Sequence, residues 1–204
     1  GCLILVFQRG KNIPIKNYAH NREYCERKGI NTYAELIYGL PGETLNSFMD
    51  GVDTLLKAGQ DRIQMYAHQI NWGAETATKE YKKKFGFETK FRYLGPQFCG
   101  THHGISTTEY EQVVVKTGTM SFNDFFKIRD FHFFILLLGS RSFREFQRIL
   151  KCTKFNIAEI TKLIMNEESL WPTSFKNVVS GYRKAYKEEL FSKEYLRKEI
   201  NEDD

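Results

Sequence analysis

Ala34-Glu35-Leu36-Ile37-Tyr38-Gly39-Leu40-Pro41-Gly42-Glu43-Thr44 runs from a β-forming segment into a turn with two glycines. Alternation along the strand, predicted over Thr32–Tyr38, puts Glu35, Ile37 and Gly39 on one face and Leu36 and Tyr38 on the other. The turn has a proline to fix the bend and glycines that allow close backbone approach. It is not a phosphate-cradling loop, because the Gly-Lys-Ser/Thr ending is missing. A helix is predicted from Thr44 or Leu45 to Ala58, since Leu45, Phe48, Met49, Val52, Leu55 and Leu56 recur at helical spacing on one stripe. Glu35 is chemically conspicuous. A carboxylate inside a parallel strand is costly to bury unless it is paired or hydrogen-bonded, so it is expected to meet either a neighbouring Lys or Arg or the hydroxyls of a ligand.

Working outward, Leu3–Phe7 is a continuous apolar run of strand length, and a polar helix is predicted from Ile15 to Lys28, between Pro14 and Gly29. Arg62–His68 supplies a third strand. Strand, helix, strand, helix, strand with short connections is the pattern of parallel βαβ units, in a doubly wound sheet or part of a barrel. Either architecture puts function at the carboxyl ends of the strands, where Gln8, the Tyr38–Glu43 turn and His68–Trp72 share one rim. After Gly73 the pattern changes. A charged helix is predicted over Glu75–Lys84, then a Gly- and aromatic-rich stretch over Phe91–His103, then mainly helices from Ser121 onward. Ser121 with Asp124 forms a capping-box variant for a helix over Phe122–Leu138, and Ser140–Leu150, Ile157–Met165 and Ser174–Ile200 are further predicted helices. The boundary falls near residue 76, giving segments 1–76 and 77–204.

Composition narrows the function classes. With 41% hydrophobic and 15% aromatic residues the chain can furnish a sizeable core. A formal net charge of +5 is a mild excess. The lysines around Lys79–Lys84 read as a solvated face, and the mixed, acid-ended tail argues against a nucleic-acid partner. The apolar run Phe133–Leu138 is too short and too closely flanked by Arg129, Asp130 and His132 to span a bilayer, so no membrane partner is expected. The Phe122–Phe133 aromatics read as core. Cys2, Cys25, Cys99 and Cys152 are scattered, without the spacing of a zinc knuckle or an iron-sulfur site, and His102-His103 point apart in an extended segment. No metal ligand is therefore assigned, and free thiols in a reducing cytoplasm are expected.

The stretch Ala34–Thr44, with its amphipathic helix and Asp61-Arg62-Ile63-Gln64-Met65-Tyr66, resembles the fifth strand, fifth helix and sixth strand of the radical S-adenosylmethionine (SAM) core. It is similar both to the oxygen-independent coproporphyrinogen oxidases and to the cobalamin-binding branch. Phe98-Cys99-Gly100-Thr101, Val113-Val114-Val115, Thr119-Met120-Ser121-Phe122 and Ile128-Arg129-Asp130-Phe131-His132-Phe133 resemble the carboxy-terminal extension of the cobalamin type. The resemblance implies an α/β chain comprising the last strands, four to six, of an incomplete parallel β/α barrel, followed by a mostly helical extension.

By that resemblance, Gln8 corresponds to a strand-four glutamine that reaches the SAM ribose, and Arg9 to an arginine on the SAM carboxylate. Glu35 stands at the acidic position that binds the ribose hydroxyls. Ile37, Tyr66 and His68 would pack on the adenine, and Gly39 would let the backbone approach it. Gln8 and Arg9 are adjacent here, whereas the family separates them by a loop and a helical segment. Asn71-Trp72-Gly73-Ala74-Glu75 likewise replaces the usual turn after strand six.

The implied cofactors are SAM, a 4Fe-4S cluster whose ligands would lie upstream of this chain, and cobalamin. The implied partners are a reductant protein and an unidentified substrate. SAM cleavage would give a 5′-deoxyadenosyl radical. The chain opens at Gly1 straight into an apolar run, which predicts a fragment of a longer protein, inactive alone and contributing no catalytic residue. The alternative is a non-catalytic SAM-binding or protein-interaction α/β module.

Overall fold

The computed structural model describes residues 15–30, 32–60, 62–95 and 99–196. The expected strand Leu3–Phe7, with Gln8 and Arg9, lies outside them. The chain is mixed α/β, with a short parallel sheet and many helices.

Helix α1 (Ile15–Arg27) leads to strand β1 (Tyr33–Tyr38), helix α2 (Leu45–Lys57) and strand β2 (Arg62–Ala67). Helix α2 starts where its cap dictates. Thr44 Oγ1 accepts from the Ser47 amide at 3.1 Å, and Ser47 Oγ accepts from the Thr44 amide at 2.9 Å, satisfying two donors that the first turn leaves over. Its apolar stripe buries Phe48, Met49 and Val52. Strands β1 and β2 pair in parallel with Glu35 opposite Gln64, Ile37 opposite Tyr66 and Tyr38 opposite Ala67. Parallel neighbours need a crossover, and α2 is that crossover.

From 77 onward, where mainly helices are predicted, α3 (Lys79–Phe85) is followed by four strands before the helical run begins. Strands β3 (Glu88–Tyr93) and β6 (Tyr110–Lys116) pair antiparallel, and β4 (Gly100–His102) with β5 (Ile105–Thr107) forms a hairpin between them. Strand β6 also hooks onto the exit of β2. The Ile70 amide donates to Gln112 O at 2.8 Å and the Val114 amide to His68 O at 2.9 Å.

Helix α4 (Phe122–Leu138) opens at the expected Ser121/Asp124 capping box. Its Phe125, Ile128 and Phe131 join Tyr38, Val52, Ile63, Met65, Val113 and Val115 in one buried cluster. Residues on both sides of position 76 thus share a core, and each fully buried Phe contributes about 2–3 kcal/mol. Helices α5 (Arg144–Lys151), α6 (Ile157–Asn166) and α7 (Thr173–Glu188) follow, and Phe134, Trp171 and Val179 make a second cluster. The predicted single helix Ser174–Ile200 is cut short at Glu188. Phe191 leaves it to exchange two backbone hydrogen bonds with Phe91 of β3, at 2.9 and 3.0 Å. Among the described residues, no helix is long and apolar enough to cross a membrane.

Candidate functional site

Among the described residues, α2 and α4 cover one face of the parallel pair, and most side chains of the other face are exposed. Side chains alternate along each strand and stay in step across a parallel register. Leu36, Tyr38, Ile63, Met65 and Ala67 therefore turn toward the core. Tyr33, Glu35, Ile37, Arg62, Gln64 and Tyr66 form the opposite surface.

The structure brings Glu35, Ile37 and Tyr66 together on that open face, with Ile37 and Tyr66 as direct register partners. It corrects one expectation. Glu35 is exposed rather than buried, since nothing in the described residues packs over its side of the strand. Its carboxylate keeps its hydration and needs no internal counter-charge.

Gly39 and His68 meet instead at the carboxyl ends of the two strands. Gly39 has φ +87°, and a Cβ there would lie 3.4 Å from Val114 O and 3.6 Å from His68 Cβ. The backbone that approaches Gly39 in this structure is thus that of β6. His68 is buried, donates its amide to Tyr38 O at 2.8 Å, and places ring Nδ1 3.3 Å from Gly39 O. Its ring stands edge-on to Phe87 with centroids 5.5 Å apart. His68 is thus buried against Phe87 and the β6 backbone, whereas Ile37 and Tyr66 are exposed.

Glu43, at the end of the same turn, was missed as a candidate by sequence reasoning. Its side chain is only 8% exposed, and one carboxylate oxygen is buried without a hydrogen-bond partner. Burial pushes its pKa up to about 7, against the opposing effect of backbone hydrogen bonds from Leu40 and Gly39. Thr119 Oγ1 donates to Glu43 O at 2.6 Å, tying the turn to the loop before α4. The one signal available was an acid directly after a tight Gly-Leu-Pro-Gly turn, where the backbone amides are near.

An exposed carboxylate beside an aliphatic and an aromatic side chain can accept hydrogen bonds from a diol while offering apolar surface to a planar ring. That chemistry suits recognition of a ligand. Among the described residues, no group of three His, Cys, Asp or Glu side chains is arranged to hold a metal ion, and Cys25, Cys99 and Cys152 are free thiols.

No protein-family model matches this chain. It is 39% identical over 111 residues to the cobalamin-dependent radical SAM methyltransferase TokK of Streptomyces tokunonensis. It is 35% identical over 112 residues to the 2-(S-pantetheinyl)-carbapenam-3-carboxylate methyltransferase of Streptantibioticus cattleyicolor. Each match takes in 54% of this chain, and the chain covers 16% of the length of either relative. A tRNA-2-methylthio-N(6)-dimethylallyladenosine synthase of Fusobacterium nucleatum is 29% identical over 92 residues, or 39% of this chain and 21% of that protein. Over about half its length, the chain is related in sequence to methyltransferases that include a cobalamin-dependent radical SAM enzyme.

Proposed function

We propose that this chain contributes part of the SAM-binding wall of a radical SAM enzyme, of the cobalamin-dependent methyltransferase type, acting on an unidentified organic substrate. The observation that carries this reading is the open β1–β2 face, where Glu35, Ile37 and Tyr66 converge while the reverse face is sealed by helices. In a β/α barrel the uncovered face of the strands is the interior and the helices lie outside. Residues 1–76 would then be the last barrel strands and 77–204 the extension that abuts them.

The side chains present fit the nucleoside of SAM: Glu35 would accept from the ribose hydroxyls, and Ile37 with Tyr66 would flank the adenine. Gln8 and Arg9 would extend the same site toward the ribose and the carboxylate. When bound and reductively cleaved, SAM supplies the 5′-deoxyadenosyl radical. The described residues do not offer a cluster-holding set, and on this reading the 4Fe-4S ligands lie in another part of the protein.

The test is equilibrium dialysis of labelled SAM against the protein and its Glu35→Ala and Tyr66→Ala variants. Loss of hydrogen bonds to a charged acceptor should weaken binding by about 1.5–3 kcal/mol for Glu35→Ala, roughly ten- to a hundredfold. Unchanged affinity in both variants would remove this face from the SAM site.

A further inference from the structure

On the opposite side of the sheet from the candidate site, helices α2, α4, α6 and α7 leave a cleft of about 520 Å³ between them. That volume is in the range of small-molecule sites, and a gap between packed helices is a usual place for one. Met49, Phe126 and Met165 supply its apolar lining. Methionine side chains adapt to irregular apolar groups, which suits a lining that must accept a ligand part.

The charges around the cleft are unevenly matched. Its acids are already committed: Arg183 Nη2 lies 2.7 Å from Asp130 Oδ2, and Arg183 Nη1 lies 3.2 Å from Glu168 Oε2. The remaining Asp130 oxygen accepts from Tyr186 OH at 2.7 Å. Lys162, also on the rim, is held by Asp50 at 2.9 Å. Lys127 and Lys187 line the same cleft, and among the described residues neither forms an ion pair with a carboxylate. Lys187 instead stands 5.5 Å from the centroid of the Phe126 ring, which holds an ammonium over the apolar lining. Two like charges facing one cleft repel each other, and an anion between them reverses the sign of that interaction.

We propose that this cleft binds a small organic phosphate monoester, with Lys127 and Lys187 holding the phosphate and Met49, Phe126 and Met165 receiving the apolar group. The two lysines left without a carboxylate partner supply donors for the phosphate oxygens, while Arg183 is shared between Asp130 and Glu168. The apolar lining matches a ligand with a carbon body rather than the free ion. The site lies on the helix-covered side of the sheet, so it does not depend on the SAM reading.

The probe is phenyl phosphate, titrated calorimetrically into the whole chain, with inorganic phosphate, benzoate and benzyl alcohol as comparisons. Phenyl phosphate should bind at least about tenfold more tightly than each of the three, because only it satisfies both the charged and the apolar groups. The Lys127→Gln/Lys187→Gln double variant should lose at least about tenfold in affinity, while its thermal unfolding stays unchanged because both side chains are exposed. Met165→Ala should weaken phenyl phosphate and leave inorganic phosphate unaltered. Equal binding of inorganic phosphate or of benzoate would overturn the organic-phosphate assignment. Absence of phenyl phosphate binding, or undiminished binding by the folded double variant, would overturn the site.

Discussion

Tyr186 of α7 donates a 2.7 Å hydrogen bond to Asp130 Oδ1 of α4, and both side chains are buried. Burial and the adjacent Asp130 together hold the Tyr186 hydroxyl in its protonated, donating form. With the second carboxylate oxygen taken by Arg183, this pair fastens the last long helix to the central one. Tyr186→Phe should cost about 1.5–3 kcal/mol, the loss of a hydrogen bond to a charged group. Asp130→Ala, which also strips Arg183 of its buried partner, should cost about 3–5 kcal/mol. Urea unfolding of the two variants checks both the sizes and their order.

Glu43 and His132 should pull the pH dependence of stability in opposite directions. Burial raises the folded pKa of Glu43 from 4.5 to about 7, so the folded state holds its proton more tightly than the unfolded chain. The stability present below pH 4.5 is then lost as pH rises toward 7, by about 3 kcal/mol for this group alone. His132 has its pKa lowered from 6.5 to about 4, first by burial and then by Arg129, and its Nε2 is buried without a partner. Its contribution is present above pH 6.5 and lost as pH falls toward 4. Glu43→Gln should therefore leave a protein that grows more stable from about pH 5 to about pH 7, and His132→Gln one that grows less stable. Urea midpoints across that range measure both slopes, and a matching slope in the two variants would contradict the assignment.

Phe131 and Glu35 separate stability from binding. Phe131 is fully buried in the main cluster, and Phe131→Ala should destabilise by about 3–5 kcal/mol. Glu35 is exposed, and Glu35→Ala should leave stability within about 0.5 kcal/mol of the parent. Calorimetric melting of the two variants, beside the SAM measurement, tells a binding defect from an unfolded sample.

Gly39→Ala should disturb the carboxyl end of β1 more than its size suggests. The backbone there is left-handed, and the new methyl would sit 3.4 Å from Val114 O. A cost of about 1–2 kcal/mol is expected from the conformation alone. Loss of amide protection at His68 and Val114, whose bonds flank the glycine, is the local signature to seek by hydrogen exchange.

Much of the parallel unit was legible because its signals are local. The stripe of α2, its Thr44 cap and the alternation around Glu35 each occupy a few consecutive residues. The face on which Glu35, Ile37 and Tyr66 lie follows from that alternation. The exposure of Glu35 does not, because burial depends on what packs over a face and alternation carries no such information. The antiparallel strands were harder to see. Glu88–Tyr93 is half charged, and its partner Tyr110–Lys116 follows only after an intervening hairpin, so nothing nearby marks either as a strand. The break after Glu188 has the same origin: Phe191 is drawn off by Phe91, a residue far away in sequence. His68 was grouped with Ile37 and Tyr66 by the resemblance alone, and its burial was not legible because the strand ends at Ala67 and β6 bonds to the backbone beyond it.

The one-sided covering of β1 leaves a mark that a population of variants would display. Core-facing Leu36 and Tyr38 answer to the packing of α2 and α4, whereas Tyr33, Glu35 and Ile37 have no such obligation. Saturation mutagenesis read out by cellular abundance should give a two-beat rhythm along the strand, tolerant at 33, 35 and 37 and intolerant at 36 and 38. The tolerant beats are positions where selection can act on recognition without first satisfying the fold.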